Sequence, residues 1–423
     1  MLHWFRCENC YSFYSKKNPK TNGISMEVYD EIDISSYPIK RGSKYLRQVA
    51  SIYGPNASGK SNFIKALSSM FLNINGTFSI LAGERFLFDD SLKDEPIFCE
   101  ICFSLPKICQ DETAGEEAYN IYIYGYELKT DEHGKANSVS SEWLRMRDLN
   151  SNEDYICIYR RTGEMVDFNE LVSKETQRKL EFKLDDSFLL LRSAGAVNEN
   201  EEPFYSVHAW CRSVFHHDHF TEEDRKWQLD SLTELVYQNE SGFGDSFEEF
   251  MGKLDNCIRE VKVDVIDERP ILSIGYTVLN APEDSDIAYR SIEEESEGTQ
   301  KIAGMFTFFY DALKNGKLLL IDELDIKYHP WAIRDLIDLF HDRKKNNGAQ
   351  LVFTSHSMAV FNDKDIQIDE IYLIEKNFQG RSSIKRLNKT SVEKAKLDKK
   401  VTDFEKLYLS GSFGAIPRTA LEI

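Results

Sequence analysis

One short stretch, Gly54-Pro-Asn-Ala-Ser-Gly-Lys60-Ser61, constrains the fold of this chain more than any other feature. It has the G-x-x-x-x-G-K-[ST] pattern of a phosphate-binding loop. An alternating, strand-like run (45–53) precedes it, and an apolar run with helical spacing (62–72) follows it. Strand, glycine-rich turn and helix are the context that this pattern requires. The sequence therefore predicts an α/β protein that binds a nucleotide.

The residues of this loop have different expected roles. Its glycines let backbone N–H groups curl around phosphates at the positive end of a helix. We expect Lys60 to reach the β- and γ-phosphates of ATP, and the Ser61 hydroxyl to ligate Mg²⁺. The expected ATP-binding residues of the loop and its flank are Gly54, Asn56, Ala57, Ser58, Gly59, Lys60, Ser61 and Asn62.

Charge and hydropathy exclude several classes of protein. The 423 residues include 52 basic and 71 acidic ones, so the formal net charge is −19. Such a chain is not expected to wrap broadly on nucleic acid, although a local basic groove stays open. No signal peptide is recognisable, and no apolar run approaches the roughly 18 residues of a membrane span. We expect a cytoplasmic protein, outside the membrane, with its eight cysteines reduced.

Two cysteine pairs, Cys7-x-x-Cys10 and Cys99-x-x-Cys102, have the spacing of half a zinc site. Both pairs fall in predicted strands, 3–13 and 97–103. Residues i and i+3 of a strand face opposite sides, and no glycine supplies a turn that would bring them together. The spacing therefore favours core cysteines over a zinc site.

The cluster His216-His217-x-His219 is a second arrangement with metal-binding residue types. It follows a predicted helix and stands beside acidic residues. A solvated loop is favoured over a metal site.

The pattern of strands and helices divides the chain into four parts. We expect an N-terminal part of the nucleotide-binding core (1–110) and a β-rich continuation (111–173). A mainly helical insertion (174–285) and a C-terminal part of the core (286–423) would follow. Predicted strands 3–13, 24–29 and 45–53 are expected to form one mixed sheet that leads into the phosphate loop.

The second half of the site is predicted around residue 320. Leu318–Ile321 is a wholly apolar run that ends in Asp322 and Glu323, as when a buried parallel strand delivers acids to the edge of its sheet. We expect Asp322 to hold Mg²⁺ together with Ser61, and Glu323 to act as the general base for water. Surface strands also end in acids, so this pattern alone does not identify a nucleotide site. It indicates one here only because a phosphate loop lies upstream.

Two further segments are candidates for contacts with phosphate. Ser296-Glu-Gly298 opens an apolar-faced helix and offers a hydroxyl and N–H groups to an anion. The run 350–355 is another buried strand, and His356 at its end has the position to donate to a γ-phosphate. Taken singly, an ordinary helix cap and a strand-capping histidine account for these segments equally well.

In this order, the four motifs resemble the Walker A, signature, Walker B and switch histidine of ABC-type ATPase heads. The phrases Glu295-Ser-Glu-Gly-Thr-Gln-Lys301 and Asp322-Glu-Leu-Asp-Ile-Lys-Tyr-His329-Pro330 are similar to the RloA-like and OLD-like branch found in bacterial anti-phage systems. That branch is related to RecF and SMC heads. The opening (5–13) and the tail (408–417) also resemble it, whereas the middle (106–285) contains no recognised motif.

The sequence departs from this family in three places. No glutamine occurs between Ser61 and Cys109, where ABC heads carry one that touches Mg²⁺, and Phe86-x-Phe88 stands in that region. His329 stands at the place where ABC transporters carry an aspartate. The resembled branch also carries a histidine there. Only 67 residues follow His356, so we expect no TOPRIM nuclease, and Asp363-Lys-Asp365 is interpreted as a polar turn.

The resemblance implies a head-to-tail homodimer, or a higher homo-oligomer with the same composite sites, that hydrolyses ATP. ATP would lie between Lys60 and Ser61 of one protomer and Ser296 and Gly298 of the other. The leading hypothesis is the ATPase sensor of an abortive-infection system, with a phage protein as trigger and a separately encoded nuclease or toxin as effector. Two alternatives stay open: a RecF- or SMC-like DNA-repair ATPase, and a nucleotide-gated scaffold that sequesters a toxin with little turnover.

Overall fold

The computed structural model of the chain describes residues 1–15, 22–28, 38–76, 81–107, 118–182, 184–197, 201–217, 222–278, 286–325, 330–357, 367–388, 390, 392–394, 404–409 and 412. Its strands are β1 (Leu2–Glu8), β2 (Gly23–Ser25), β3 (Ile39–Arg41), β4 (Lys44–Leu46), β5 (Val49–Tyr53), β6 (Ile97–Pro106), β7 (Tyr119–Thr130), β8 (Ala136–Asp148), β9 (Ile156–Thr162), β10 (Met165–Phe168), β11 (Phe215–His217), β12 (Ile258–Ile266), β13 (Arg269–Thr277), β14 (Ile287–Ser291), β15 (Leu318–Ile321), β16 (Gln350–Thr354), β17 (Ile371–Lys376) and β18 (Ser382–Arg386). Its α-helices are α1 (Lys60–Asn75), α2 (Lys174–Glu181), α3 (Phe204–Ser213), α4 (Glu222–Gln238), α5 (Phe243–Leu254), α6 (Glu297–Asn315), α7 (Pro330–His341) and α8 (Phe404–Leu409).

A six-stranded sheet in the order β11-β15-β16-β5-β17-β18 forms the nucleotide-binding core. Its first five strands are parallel, and β18 pairs antiparallel with β17. Every residue of β5, β15 and β16 is buried, which is why their sequences are almost continuously apolar. The phosphate loop connects β5 to α1. The predicted α/β fold, an ATPase head of P-loop type with an added β-rich sheet, is confirmed.

A second, seven-stranded antiparallel sheet has the order β10-β9-β8-β7-β6-β1-β2. The strand-rich character predicted between residues 95 and 161 is confirmed by β6 to β9. The expectation that the first three predicted strands form one sheet is wrong. β1 and β2 belong to the antiparallel sheet, whereas 45–53 is split into β4 and β5. β4 pairs with β3, whereas β5 is paired on both sides by β16 and β17, and Arg47 and Gln48 lie between β4 and β5.

The helices follow their local sequence signals. α6 begins after Ser296, whose hydroxyl accepts a hydrogen bond from the Thr299 N–H at 3.2 Å. It ends at Gly316, which adopts a left-handed conformation with a φ of 66°. None of the helices among the described residues is long and apolar enough to cross a bilayer.

The helices of the predicted insertion pack into two different cores. Phe204 and Trp210 of α3 join the core between α1 and the antiparallel sheet, where Trp210 stacks on Phe103 with ring centroids 4.0 Å apart. Phe247 and Phe250 of α5 join the core on the other side of the parallel sheet, around α6. The segment is therefore mainly helical up to residue 254, and the antiparallel strands β12, β13 and β14 follow it.

The four cysteines of the two pairs are buried, as predicted, and Cys99 and Cys102 lie in β6, but the reasoning for Cys7 and Cys10 was wrong. β1 ends at Glu8, and Asn9 and Tyr11 have left-handed φ angles of 48° and 51°, so a turn forms without glycine. Asn9 holds this turn, because its amide donates to Glu95 O at 2.7 Å and accepts from the Phe86 N–H. Cys7 pairs with Cys99 of β6 across the antiparallel sheet, and Cys10 is buried beside them.

The first two residues of the histidine cluster lie in a strand, so the predicted loop is wrong for them. His216 and His217 belong to β11, the edge strand that pairs parallel with β15, and His219 lies outside the described residues. Stacking of Phe215 on Phe308, with ring centroids 3.8 Å apart, draws this segment into the sheet. Within the described ranges, no group of three or more His, Cys, Asp or Glu side chains is arranged to hold a metal ion.

A buried carboxylate connects the antiparallel sheet to the 3₁₀ helix Leu190–Ala196. Glu142 of β8 accepts hydrogen bonds from the Tyr124 and Tyr159 hydroxyls and from the N–H groups of Leu190 and Leu191. Burial raises the pKa of Glu142, and these hydrogen bonds partly offset that effect. Arg161, which is 0 % exposed, lies 3.7 Å away and donates to three backbone carbonyls.

We predict that Glu142→Ala lowers the free energy of unfolding by about 3–5 kcal/mol, because it leaves two hydroxyls and two N–H groups without their shared acceptor and Arg161 without its buried counter-charge. Urea denaturation measures this change. Glu153→Ala, which removes an exposed carboxylate from the neighbouring turn, should stay within about 0.5 kcal/mol of the parent. Equal stability of the two variants would contradict the role given to Glu142.

Candidate nucleotide site

The phosphate loop requires glycine at its two ends. Gly59 precedes α1 with a φ of 111°, a conformation that side-chain-bearing residues rarely adopt, and Ala57 has a φ of 60°. A Cβ at Gly54 would collide with the carbonyl oxygen of Ile374 in β17. The loop therefore turns sharply against the edge of β17 and directs the first N–H groups of α1 toward the expected phosphate position.

Two serines from distant parts of the chain hold this loop from behind. The Ser382 hydroxyl donates to Ser58 O at 2.6 Å and lies 2.8 Å from the Ser12 hydroxyl. Ser12 also accepts a hydrogen bond from the Asn62 side chain at 3.0 Å. Ser12 belongs to the opening segment quoted for the family resemblance, but its role was not predicted. No pattern in the sequence marks Ser382.

Lys60 is buried, with 5 % of its surface exposed, and faces the acids of the neighbouring strand. Its ammonium group donates to Gly54 O at 2.8 Å and lies 3.4 Å from His356 Nδ1. Burial lowers the pKa of Lys60, and the charges of Asp322, Glu323 and Asp325 oppose that effect. Phosphate groups brought to this position would stabilise the charged ammonium and replace the loop carbonyl as its partner.

Asp322 and Glu323 stand at the end of β15 beside Thr354 at the end of β16. The Thr354 hydroxyl donates to Asp322 Oδ1 at 2.5 Å and accepts from the Glu323 N–H at 2.7 Å. Glu323 has a left-handed φ of 52°, which turns the chain out of the strand. Asp322 and Ser61 supply the carboxylate and hydroxyl oxygens that Mg²⁺ prefers, so the donor set fits this ion. Thr354 was not predicted, although it precedes His356 by only two residues.

His356 connects the two halves of the candidate site. Its Nε2 lies 3.7 Å from Glu323 Oε1, so Lys60, His356 and Glu323 form a continuous row of polar groups. The row is oriented by Asp325, a residue that the sequence analysis did not single out. Asp325 Oδ2 accepts hydrogen bonds from the backbone N–H groups of His356 at 2.8 Å and Ser357 at 2.7 Å.

Ser296 and Gly298 lie at the N-terminus of α6, and Ser296 is exposed. The hydroxyl of Ser296 lies 2.9 Å from that of Thr299 and caps the helix. Where the structure describes the chain, no hydrogen bond joins Ser296 or Gly298 to the phosphate loop of the same protomer. The fold thus brings together the Walker residues and His356 but leaves the signature segment apart from them.

The departures from the family pattern have different outcomes. Phe86 is buried and Phe88 is 73 % exposed. A phenyl ring has no amide oxygen, so neither residue replaces the missing glutamine as a contact to Mg²⁺. His329, Asp363 and Asp365 lie outside the described residues.

Comparisons with known proteins give a family match to part of the chain and several similar solved structures. The family described as an AAA domain, putative AbiEii toxin of a type IV toxin–antitoxin system, matches residues 171–362, less than half of the chain. That match includes Ser296, Asp322 and His356 but begins after the phosphate loop. No curated protein matches the chain.

Among solved structures, three heads of SMC proteins are similar to the chain over most of its length. The SMC head domain from Thermotoga maritima has 14% identity and a TM-score of 0.42, covering 92% of this chain and 99% of that one. An SMC head bound to the C-terminal winged-helix domain of ScpA has 12% identity and a TM-score of 0.40, covering 93% and 99%. The SMC head from Pyrococcus furiosus, with an extended coiled coil, has 11% identity and a TM-score of 0.41, covering 95% and 99%.

We predict that Asp325→Ala lowers kcat for ATP hydrolysis by about 10- to 100-fold, because the His356 segment loses the carboxylate that orients it. The affinity for ATP should change little, since Asp325 does not belong to the phosphate loop. Steady-state kinetics and nucleotide titration measure the two effects. Asp325→Asn keeps one acceptor oxygen and should retain more activity than Asp325→Ala. A parental kcat in the alanine variant would remove Asp325 from the account.

Proposed function

We propose that this protein is a Mg²⁺-dependent ATPase that forms an ATP-bound homodimer and acts as the sensor and regulator of an anti-phage defence system. One observation carries the ATPase part of this proposal: the row of Lys60, His356 and Glu323 beside Asp322, at the edge where three parallel strands end. At a phosphate-binding loop, ATP hydrolysis uses a lysine on the phosphates, a carboxylate for Mg²⁺ and a group that activates water. Lys60, Asp322 and Glu323 are the residues proposed for these parts.

Each residue has a defined part in the proposed reaction. Lys60 neutralises charge on the β- and γ-phosphates, and Ser61 and Asp322 hold Mg²⁺. The ion, when bound, would offset the remaining negative charge of the phosphates. Glu323 accepts the proton of the attacking water, and His356 donates to a γ-phosphate oxygen. Asp325 positions His356 through the backbone.

The signature segment suggests that hydrolysis needs a second copy of the chain. Ser296 and Gly298 lie at the exposed N-terminus of α6, a helix of 19 residues whose positive end favours an anion. A head-to-tail pair of protomers would bring this end to the ATP held by the partner. Binding and hydrolysis of ATP would then close and open the pair, and a docked protein would sense that change.

The role in defence is supported by sequence resemblance. The signature and Walker B phrases resemble RloA-like and OLD-like ATPases, and the partial family match bears the description of a putative toxin of a toxin–antitoxin system. We propose that a separately encoded nuclease or toxin is the effector and that a phage protein is the trigger. The net charge of −19 favours a protein partner over extended contact with DNA.

Two variants with opposite defects test the ATPase. We predict that Glu323→Gln binds ATP, hardly hydrolyses it and accumulates as a dimer, because it loses the general base but keeps Lys60 and the Mg²⁺ ligands. Lys60→Ala should bind no ATP and stay monomeric at the same concentration. Nucleotide titration and light scattering measure binding and mass. Parental turnover by Glu323→Gln would show that Glu323 is not the base.

The same pair of variants tests the regulatory role. Each is co-expressed with the proteins encoded by the neighbouring genes, and the purified complexes are compared. The protein encoded by one neighbouring gene should co-purify to different extents with Glu323→Gln and with Lys60→Ala. The first variant is expected to be an ATP-bound dimer and the second a monomer without ATP. Strong stimulation of the parental ATPase by duplex DNA, with no neighbour bound to either variant, would favour a DNA-repair ATPase instead.

A further inference from the structure

A polar cavity of about 530 Å³ lies at the far end of the helix that begins with the phosphate loop. Since α1 has 16 residues, its two ends are about 24 Å apart. The cavity is therefore separate from the nucleotide site at Lys60. Its size falls within the range of pockets that hold small ligands, roughly 300–1,000 Å³. It is lined by Asn75, Gly76, Arg192, Gly195, His208 and Arg212.

The lining is basic in a chain that is strongly acidic overall. Arg192 and Arg212 supply two guanidinium groups, and His208 adds an imidazole that is 9 % exposed. In the part of the chain that the structure describes, no carboxylate lines the cavity or forms an ion pair with either arginine. Asp185 contributes only a longer-range interaction with Arg192. Among the described residues the two arginines thus have no carboxylate partner, and two guanidinium groups placed in this way favour an anion as ligand.

Neutral groups of the cavity point to the same chemistry. Asn75 is held by a hydrogen bond of its amide nitrogen to Cys211 O at 3.5 Å, while its Oδ1 is buried without a partner among the described residues. A phosphate monoester carries O–H as well as O⁻ groups near neutral pH, so it can donate to Oδ1 and accept from the guanidinium groups. Gly76 ends α1 with a left-handed φ of 64°, and the Arg192 guanidinium lies against it.

The helix ends do not cancel this positive charge. The carboxyl ends of α1 and α3 lie beside the cavity, and each contributes about half of a negative elementary charge. The two guanidinium groups together carry about two positive charges, so a net positive charge of roughly one remains at the cavity. Burial and the charge of Arg212 both lower the pKa of His208, as expected beside uncompensated positive charge.

The cavity is built into the fold. Glu142 accepts the N–H groups of Leu190 and Leu191 and so fixes the segment that carries Arg192. On the other side, Trp210 packs against Phe71 of α1 with ring centroids 5.7 Å apart and fixes the helix that carries His208 and Arg212. The basic groups are thus presented by supported elements on both walls.

We propose that the cavity formed by Asn75, Arg192, His208 and Arg212 binds a phosphorylated small molecule through its phosphate group. The ligand contacts the end of α1 whose other end carries Lys60, so the site is placed to couple such a ligand to the nucleotide site through one rigid helix.

The test uses full-length Lys60→Ala protein, in which the phosphate loop is disabled, and titrates it calorimetrically with inorganic phosphate and with AMP. Replacing Arg192 and Arg212 by alanine in this background should weaken binding at least about tenfold, because two charge-assisted hydrogen-bonding groups are lost. The matched control is Arg145→Ala, which removes an exposed arginine of β8 and should leave the affinity unchanged. Thermal unfolding of each variant verifies that the fold is retained.

Tighter binding of AMP than of phosphate would identify a nucleoside monophosphate as the ligand type, and equal binding would identify the phosphate group alone as the recognised element. The proposal is overturned if neither probe binds, or if binding is the same with and without the two arginines. It is also overturned if a DNA or RNA oligonucleotide needs both arginines while phosphate and AMP do not bind. Because Lys60 is absent throughout, failure here leaves the proposed ATPase untouched.

Discussion

The parallel pairing of β15, β16 and β5 is the constraint on which the rest of the candidate site depends. Phe353 of β16 pairs with Ile321 of β15 on one side and with Ser51 of β5 on the other, so the three strands end almost at the same level. The segments that leave these ends have to meet. They carry the phosphate loop, the two acids of the Walker B motif and His356.

Bringing these segments together has an electrostatic consequence. Lys60 is buried, which lowers its pKa, and three carboxylates of the adjoining segment favour its charged form. The ammonium group is held by carbonyl oxygens of its own loop, at 2.8 Å from Gly54 O. A triphosphate offers the charged group a stronger partner than a neutral carbonyl. The site is therefore preorganised for an anion, with Lys60 Nζ 3.4 Å from His356 Nδ1 and His356 Nε2 3.7 Å from Glu323 Oε1.

Local sequence was sufficient to predict three strands of the parallel core, β5, β15 and β16, but not β11 or β17. The phosphate loop, the apolar strands and the capped helix α6 each have a short-range pattern that dictates one conformation, and their order along the chain suggested the family. The turn at Asn9 escaped prediction because its conformation depends on two tertiary hydrogen bonds to residues about 80 positions away. The division between the sheets escaped for a similar reason, since β5 pairs with β16 and β17 from the C-terminal part of the chain.

The supporting residues of the site were equally hidden. Ser382 contacts Ser58 across 324 positions of sequence, and a single serine near a chain end carries no local signal. Thr354 and Asp325 act on backbone groups or on other side chains. Residue type and spacing identify groups that touch a nucleotide, because its chemistry limits the choice. They do not identify groups that hold those residues in place, since many side chains can do so.

The central claim is that an ATP site is completed by two protomers, with Lys60 from one and Ser296 from the other. It is tested most directly by mixing two inactive variants, Lys60→Ala and Ser296→Arg, and measuring ATP hydrolysis. A mixed dimer contains one site with both defects and one site with neither, so the account predicts that the mixture regains part of the parental activity. No recovery of hydrolysis, in a mixture shown to contain mixed dimers, would contradict it.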